Sequence, residues 1–309
     1  MKKKRLKKKA YLSLLTITFI SFLAIIFLVY RSYTNSNKYL LLELGYAPGD
    51  VVEYLKNPKL VKILLKNEYN KDIVDFINEE YFIEDNIKDY LNYKKEYNNK
   101  SNKEIVSIIN VGSNKKWYEG SIASNLDKGI LVLANKFNYL PNDYKPDDLE
   151  NISLMYAFSG KEIRKEVHNS FVLMSKAAKK EGLTIIANSA FRDFDYQYDL
   201  YYSYKRKFGV EEADGFAARP GFSEHQTGLA VDVSTLNSTM DNFHETEEFE
   251  WLTENAHKYG FILRYPKGKE HLTGYNYESW HYRYVGIDVA SEIKKKGITF
   301  DEYYAYYLR

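Results

Sequence analysis

The sequence predicts an α+β fold, a small antiparallel sheet with flanking helices, preceded by a transmembrane helix and a small helical module. Three observations carry this. Residues 10–30 form an uncharged, mostly apolar run. Residues 38–95 place their apolar side chains at helical spacing. From about residue 105, short β-like runs interleave with amphipathic stripes, and the connections between them are too short for a doubly wound sheet.

The first of these is the clearest. Residues 2–9 carry seven Lys or Arg, and Ala10 to Tyr30 follows without a charge. At helical rise such a run spans roughly 30 Å, the thickness of a bilayer's hydrocarbon core. A cleaved signal would have a shorter apolar region and a small-x-small cleavage site. Here the run ends in Phe27-Leu28-Val29-Tyr30-Arg31, so the segment reads as a retained anchor. The basic residues 1–9 stay in the cytoplasm by the positive-inside rule, and the rest of the chain lies outside the cell membrane. Residues 31–37 read as a polar linker.

The formal charge of +2 belongs to that basic end; without its seven cations the remainder carries −5. A mildly acidic exported part argues against nucleic acid as a partner. There is no cysteine, which excludes disulfides and thiolate metal sites. Any metal must be held by His, Asp or Glu.

Residues 38–103 are expected to form a module of three or four short helices. Leu40, Leu41, Leu42 and Leu44 lead into Gly45, Pro48 opens the next segment, and Val61, Ile63, Leu64, Ile73, Phe76 and Ile77 continue the stripe. A polar stretch around 98–103 marks the junction to the second domain, 104–309. There Glu104 to Val111 reads as β-like. Ile163 to Ala177 is a helical stripe closed by Gly182, and Leu183 to Asn188 is a buried strand. Residues 195–208 form a helix ended by Gly209. Residues 229–233 read as a central strand, 247–259 as a helix capped by Gly260, 261–265 as a strand and 280–285 as the last strand. Thr299 and Glu302 spell a capping box for a final helix.

Chemistry concentrates in two short stretches. Ser223-Glu224-His225-Gln226-Thr227-Gly228-Leu229-Ala230-Val231-Asp232 holds an imidazole and a carboxylate. Glu278-Ser279-Trp280-His281 holds a second imidazole and a second carboxylate. Two imidazoles and one carboxylate can bind one zinc ion and leave a position for water. A further carboxylate can take that water's proton. His225 and Asp232 are seven apart, an odd separation that puts them on opposite faces of a regular strand. They converge only if the chain bends at Gly228. His225 is therefore expected on a loop and Asp232 on the strand behind it. By the same rule Glu278 is expected in the turn before the strand that carries His281. The other histidines (His168, His244, His257 and His271) have no such spacing.

These stretches resemble the motif pair of the VanY-type zinc D-alanyl-D-alanine carboxypeptidases, a Ser-x-His-x-x-Gly-x-Ala-x-Asp block followed by Glu-Pro-Trp-His. Ser189-Ala190-Phe191-Arg192-Asp193-Phe194-Asp195-Tyr196-Gln197 is similar to a third family segment. Ala218-Arg219-Pro220-Gly221 and Gly260-Phe261-Ile262-Leu263-Arg264-Tyr265-Pro266 match as well, so the resemblance spans roughly residues 120–287. It implies one Zn²⁺ held by His225, Asp232 and His281, with Glu278 as general base and then acid. It also implies that Arg192, Gln197 and Ser223 lie at the substrate. Arg192 suits either the peptide's terminal carboxylate or the oxyanion formed at the scissile carbonyl. Ser279 stands where the family has Pro, which removes a constraint on the backbone before it.

The implied activity is zinc-dependent removal of C-terminal D-alanine from peptidoglycan stem peptides. Its rivals are an L,D-carboxypeptidase, an endopeptidase on the same polymer, and a non-catalytic wall-binding protein that keeps the metal. A retained Glu278 speaks against the last, since a structural site has no use for a base.

Overall fold

Five short helices follow a long one in the first of two units, Met1–Lys103, seen in a computed structural model that describes residues 2–238, 240 and 242–309. The long helix is Lys2–Thr34, and its stretch Leu15–Thr34 is apolar enough and long enough to cross a membrane. Side chains such as Phe19, Phe22 and Phe27 are exposed all around it, as a lipid-facing helix requires. The helix runs on into the expected linker as far as Thr34, and Ser36 caps the next one by accepting from the Tyr39 amide.

The helices Asn37–Glu43, Pro48–Tyr54, Pro58–Lys66, Asp72–Ile77 and Ile87–Glu96 close over Leu41, Val51, Ile63, Leu64 and Ile73. Proline opens the second and third of them, where its missing N–H costs nothing. Three or four helices were expected, and five are described here; the expected Ile73, Phe76 and Ile77 lie on the short helix Asp72–Ile77.

The second unit is Glu104–Arg309. Its opening segment corrects the sequence reading, because Asn102–Val111 is a helix and not a strand. Ile105, Val106, Ile108 and Ile109 are β-branched, which favours a strand locally. They also recur as one helical face, and burial of that face decides the outcome.

Four strands build the sheet that positions the site: β1 (Ile186–Ser189), β2 (Ala230–Ser234), β3 (Phe261–Tyr265) and β4 (Glu278–Tyr284). Their order is β1-β2-β4-β3, antiparallel throughout. β2 is buried along its whole length, as its run of Ala, Val and Asp with no exposed face demands. The helix Lys165–Lys180 turns Val167, Phe171, Met174 and Ala178 into the core, where they join Leu229, Val231 and Val233. Glu247–Asn255 and a 3₁₀ turn, Ala256–Tyr259, lead to Gly260 in the left-handed conformation, the expected cap. At the end of the chain, Phe300–Tyr307 carries both halves of the predicted capping box. Four features had no clear sequence signal: the helices Val210–Phe216 and Ile287–Lys296, and the short pairings Ile122–Ala123 with Asn138–Tyr139 and Leu149–Asn151 with Glu162–Arg164, the last of which takes Ile163 out of the expected helical stripe.

Two irregularities interrupt this sheet. The β1–β2 register shifts between Ala187 and Ser189. In the β3–β4 pair, Leu263 faces Tyr282 but Tyr265 faces Glu278, so a step of two residues along β3 answers a step of four along β4. This is a bulge, and it breaks the strict alternation of faces along β4.

Gly228 is the bend on which the site depends. It adopts φ 65°, and its amide donates to the His225 carbonyl, closing the 3₁₀ turn Glu224–Thr227. A Cβ there would come within 2.8 Å of Arg164 Cγ and 3.0 Å of Leu149 Cδ2. Gly228→Ala therefore combines left-handed strain with overpacking and is expected to destabilise the fold by about 2–4 kcal/mol. Urea unfolding measures this, and a loss near zero would mean that the turn relaxes freely.

Candidate active site

The register of β2 and β4 sets the first half of the site. Asp232 lies directly opposite His281 on the neighbouring strand. His281 Nδ1 is 3.1 Å from Asp232 Oδ1. His225 arrives from the 3₁₀ turn, with its Nε2 3.3 Å from the same oxygen. The turn is capped by Ser223, whose Oγ accepts from the His225 amide. One donor atom from each of the three residues lies within 4.8 Å of the others. All three are buried, at 1%, 2% and 5% exposure for His225, Asp232 and His281.

The other ends of the imidazoles are fixed. His225 Nδ1 pairs with the Ala190 carbonyl at 2.6 Å, which makes Nδ1 the protonated nitrogen and leaves the Nε2 lone pair facing Asp232. His225 Nε2 and Asp232 Oδ1 are buried without a hydrogen-bond partner among the described residues. Buried polar atoms are rarely left so, and two such atoms beside a second imidazole are what a cation would satisfy. The donor set fits zinc: two nitrogens and one carboxylate oxygen, with room for a fourth ligand.

Electrostatics agree with the geometry. Burial holds His225 down at about 4, with help from the Arg192 guanidinium, so its ring is neutral. Burial opposes the Asp232 charge as well, but contacts with His225 and His281 keep its carboxyl well below the usual range. For His281 burial is outweighed by Asp232 and Glu224, which push the imidazole up to about 9. The same two carboxylates create an anionic cradle that a metal cation would share.

Glu278 corrects the sequence expectation in detail. It is the first residue of β4, not part of a preceding turn. The bulge lets it reach the face of His281 in spite of the odd separation, and its Oε2 stands 3.4 Å from His281 Nδ1. Burial pushes its carboxyl up to about 8; Asp232 adds to this, and His281 and Arg192 oppose it. A carboxyl tuned into that range can accept and return a proton near neutral pH. Ser279, beside it, is buried, with its Oγ unpartnered among the described residues.

Arg192 enters from the loop after β1. Its Nη1 donates to Ser189 Oγ at 3.0 Å and to Asp232 Oδ2 at 3.4 Å. Gln197, on the helix Phe194–Phe208, stands behind it: Oε1 accepts from Arg192 Nε at 3.1 Å, and Nε2 donates to the Ala218 carbonyl. Both ends of that amide are used, so Gln197 braces Arg192 and does not itself line the cavity. Arg192, Ser223, His225, Asp232, Glu278 and His281 all line one cavity of about 380 Å³. Aromatic and aliphatic side chains, Tyr204, Phe208 and Phe216 among them, line it as well.

Two contributors went unnoticed in the sequence. Tyr265 packs against His281 with ring centroids 4.8 Å apart and the ring planes tilted by 49°. Glu224, the neighbour of His225, has no side-chain exposure; its Oε1 accepts from Arg264 Nε and Arg283 Nη1, and its Oε2 lies 3.5 Å from His281 Nε2. A signal for it was present. Arg264 interrupts the apolar run of β3 and Arg283 lies between two tyrosines of β4, and a buried arginine needs a buried carboxylate.

Comparison with known proteins agrees with this constellation. The VanY family model, D-alanyl-D-alanine carboxypeptidase, matches residues 160–287, which include every residue of the site. A putative carboxypeptidase of Bacillus subtilis (strain 168), YodJ, is 41% identical over 184 residues, covering 57% of this chain and 67% of the relative. A D-alanyl-D-alanine carboxypeptidase of Enterococcus faecium is 34% identical over 242 residues, 75% of this chain and 74% of the relative. Among solved structures, that of the LdcB LD-carboxypeptidase is 39% identical, with a TM-score of 0.57, over 62% of this chain and 92% of that one. With its ligand-type residues gathered around one cavity and its sequence shared over most of the length of such relatives, this chain is a hydrolase that belongs to the VanY D-alanyl-D-alanine carboxypeptidase family.

Proposed function

We propose that the protein is a membrane-anchored, zinc-dependent D,D-carboxypeptidase that removes the C-terminal D-alanine from peptidoglycan stem peptides. The observation that carries this reading is the convergence of His225 Nε2, Asp232 Oδ1 and His281 Nδ1, with the Glu278 carboxyl beside them in a cavity open to substrate. His225, Asp232 and His281 would hold one zinc ion. When bound, zinc supplies Lewis acidity toward the scissile carbonyl and the attacking water.

The chain's own groups do the rest. Glu278 Oε2 takes a proton from the attacking water and later delivers it to the departing amine of D-alanine. Arg192, held against Asp232 by Ser189 and Gln197, presents its guanidinium to the oxyanion that develops at the carbonyl. Ser223, whose hydroxyl caps the turn that carries His225, also lines the cavity. Burial of the site excludes bulk water from these contacts, which strengthens each of them.

The apolar helix would hold the domain at the outer face of the cytoplasmic membrane, with residues 1–9 inside, and the helices of residues 37–96 would act as a spacer. A second reading is favoured by the likeness to the LdcB LD-carboxypeptidase, in which case the substrate would be the tetrapeptide.

The test is D-alanine release by the full-length protein in detergent, with stem pentapeptide and tetrapeptide as separate substrates. Release from the pentapeptide that stops on chelation and returns with zinc is the expected result. Release only from the tetrapeptide selects the L,D reading. Release insensitive to chelation would sink the metal mechanism.

A further inference from the structure

We propose that Tyr204, Phe208 and Phe216 form an aromatic shelf at the mouth of the cavity for the sugar ring to which a peptidoglycan stem peptide is joined. The inference rests on the carboxypeptidase reading above and extends it from the reacting end of the substrate to the other.

Gln197, Leu200, Tyr204 and Phe208 follow one another at spacings of three and four on the helix Phe194–Phe208, so they share one face. At the inner end Gln197 braces Arg192. Leu200, Tyr204 and Phe208 continue outward along the cavity that holds the reacting groups. Exposure rises in that direction, from 1% at Gln197 to 45% at Phe208, so the ridge runs from the reacting groups to the mouth. At helical rise, Phe208 lies roughly 16 Å along the axis from Gln197. Four residues of a stem pentapeptide lie on the sugar side of the scissile bond, and extended they span ~13 Å. The outer rings stand where the sugar arrives.

The shelf is built rigidly. Gly209, at φ 86°, ends the first helix and turns the chain into Val210–Phe216. Phe216 thereby returns to Phe208, edge to face, with ring centroids 6.3 Å apart. Phe208 lies nearly parallel to Tyr204, with centroids 6.2 Å apart. Asp214 locks the second helix to the first, accepting from Tyr201 Oη at 2.8 Å and from Arg219 Nε and Nη2. Its carbonyl accepts from Lys136 Nζ. Phe216 nevertheless stays 47% exposed. An apolar patch held in place, left in water and continuous with a reaction cavity is the form a ligand surface takes.

A pyranose suits these rings. Its axial C–H bonds make one face of the sugar apolar, and that face meets the electron-rich face of an aromatic ring. The rival occupant is the alkylamine side chain of the stem's third residue. Charge argues against it. Lys207 Nζ lies 4.7 Å from the Phe208 ring centroid, and Lys205 and Arg206 share its helical turn. An incoming ammonium meets these cations, whereas the hydroxyl and acetamido oxygens of a sugar accept hydrogen bonds from them.

The test uses full-length protein in detergent with zinc, and the peptide length that it cleaves, presented free and as the disaccharide-peptide. The kcat/KM for D-alanine release should be roughly 3–10-fold higher for the disaccharide-peptide. Phe208→Ala combined with Phe216→Ala should bring that ratio to about one, with circular dichroism unchanged. Should the double variant fail to fold, two single changes decide: Phe208→Tyr should keep the ratio, and Phe208→Leu, which loses the ring, should lower it. Equal kcat/KM on the two substrates in the wild type would overturn the proposal, as would variants without the rings that keep the ratio. A wall for the third residue would show instead as a loss when that residue of the free peptide is changed to alanine, with the ratio unmoved by the variants, and this too would overturn it. No release from either substrate would overturn the carboxypeptidase reading itself, and this inference with it.

Discussion

Glu278→Gln is expected to lower kcat about 10²–10⁴-fold, the usual loss when a positioned general base is removed. Zinc content should stay at the wild-type level. The amide keeps the shape of the side chain and can still fill the cavity at the start of β4, but it cannot accept the proton. The separation of the two readouts is what matters. Glu278 is not one of the three gathered donors, although its Oε2 is only 3.4 Å from one of them. Metal affinity measured by chelator competition, alongside turnover on the pentapeptide, checks both at once. Equal losses of zinc and activity would mean that Glu278 is a fourth ligand. Full activity would remove it from the mechanism.

The second large effect is on stability. Arg264→Met is expected to cost about 3–5 kcal/mol, the range found when one partner of a buried ion pair is deleted. Arg264 is fully buried between Glu224 and Asp301, and methionine replaces its volume but none of its donors. Among the described residues, Asp301 would keep Asn135, and Glu224 would keep Arg283 and the neighbouring His281. Denaturant midpoints with unchanged slopes would report the loss directly. A near-neutral result would show that the remaining partners, or water, compensate for the missing guanidinium.

The sequence made the ligand-type residues legible because their chemistry is unusual and their spacing constrains the backbone. The odd separation of His225 and Asp232 demanded a bend, and Gly228 is that bend, in the left-handed conformation. The same parity rule failed for Glu278 and His281. Parity assumes a regular strand, whereas β4 carries a bulge whose presence is decided by pairing with β3. Helix ends with Gly or a capping box were readable for the same reason as Gly228: the signal is local. The segment Glu104–Val111 was misread because its β-branched residues say strand, while the partners that bury its helical face come from distant parts of the chain. Ser107, for example, donates to Glu302. Glu224 escaped notice because its importance lies in Arg264 and Arg283, 40 and 59 residues away.

The bulge in β4 also divides the strand into two parts that can change separately. Residues from His281 onward pair with β2 in unbroken register, and that pairing holds the ligand against Asp232. Glu278 lies on the far side of the irregularity, tied to Tyr265. Loss or gain of a single codon between them would swing the carboxyl away and leave the ligand pairing untouched. A lineage could therefore move the Glu278 carboxyl in one genetic step and retain a folded sheet that still sets His281 opposite Asp232.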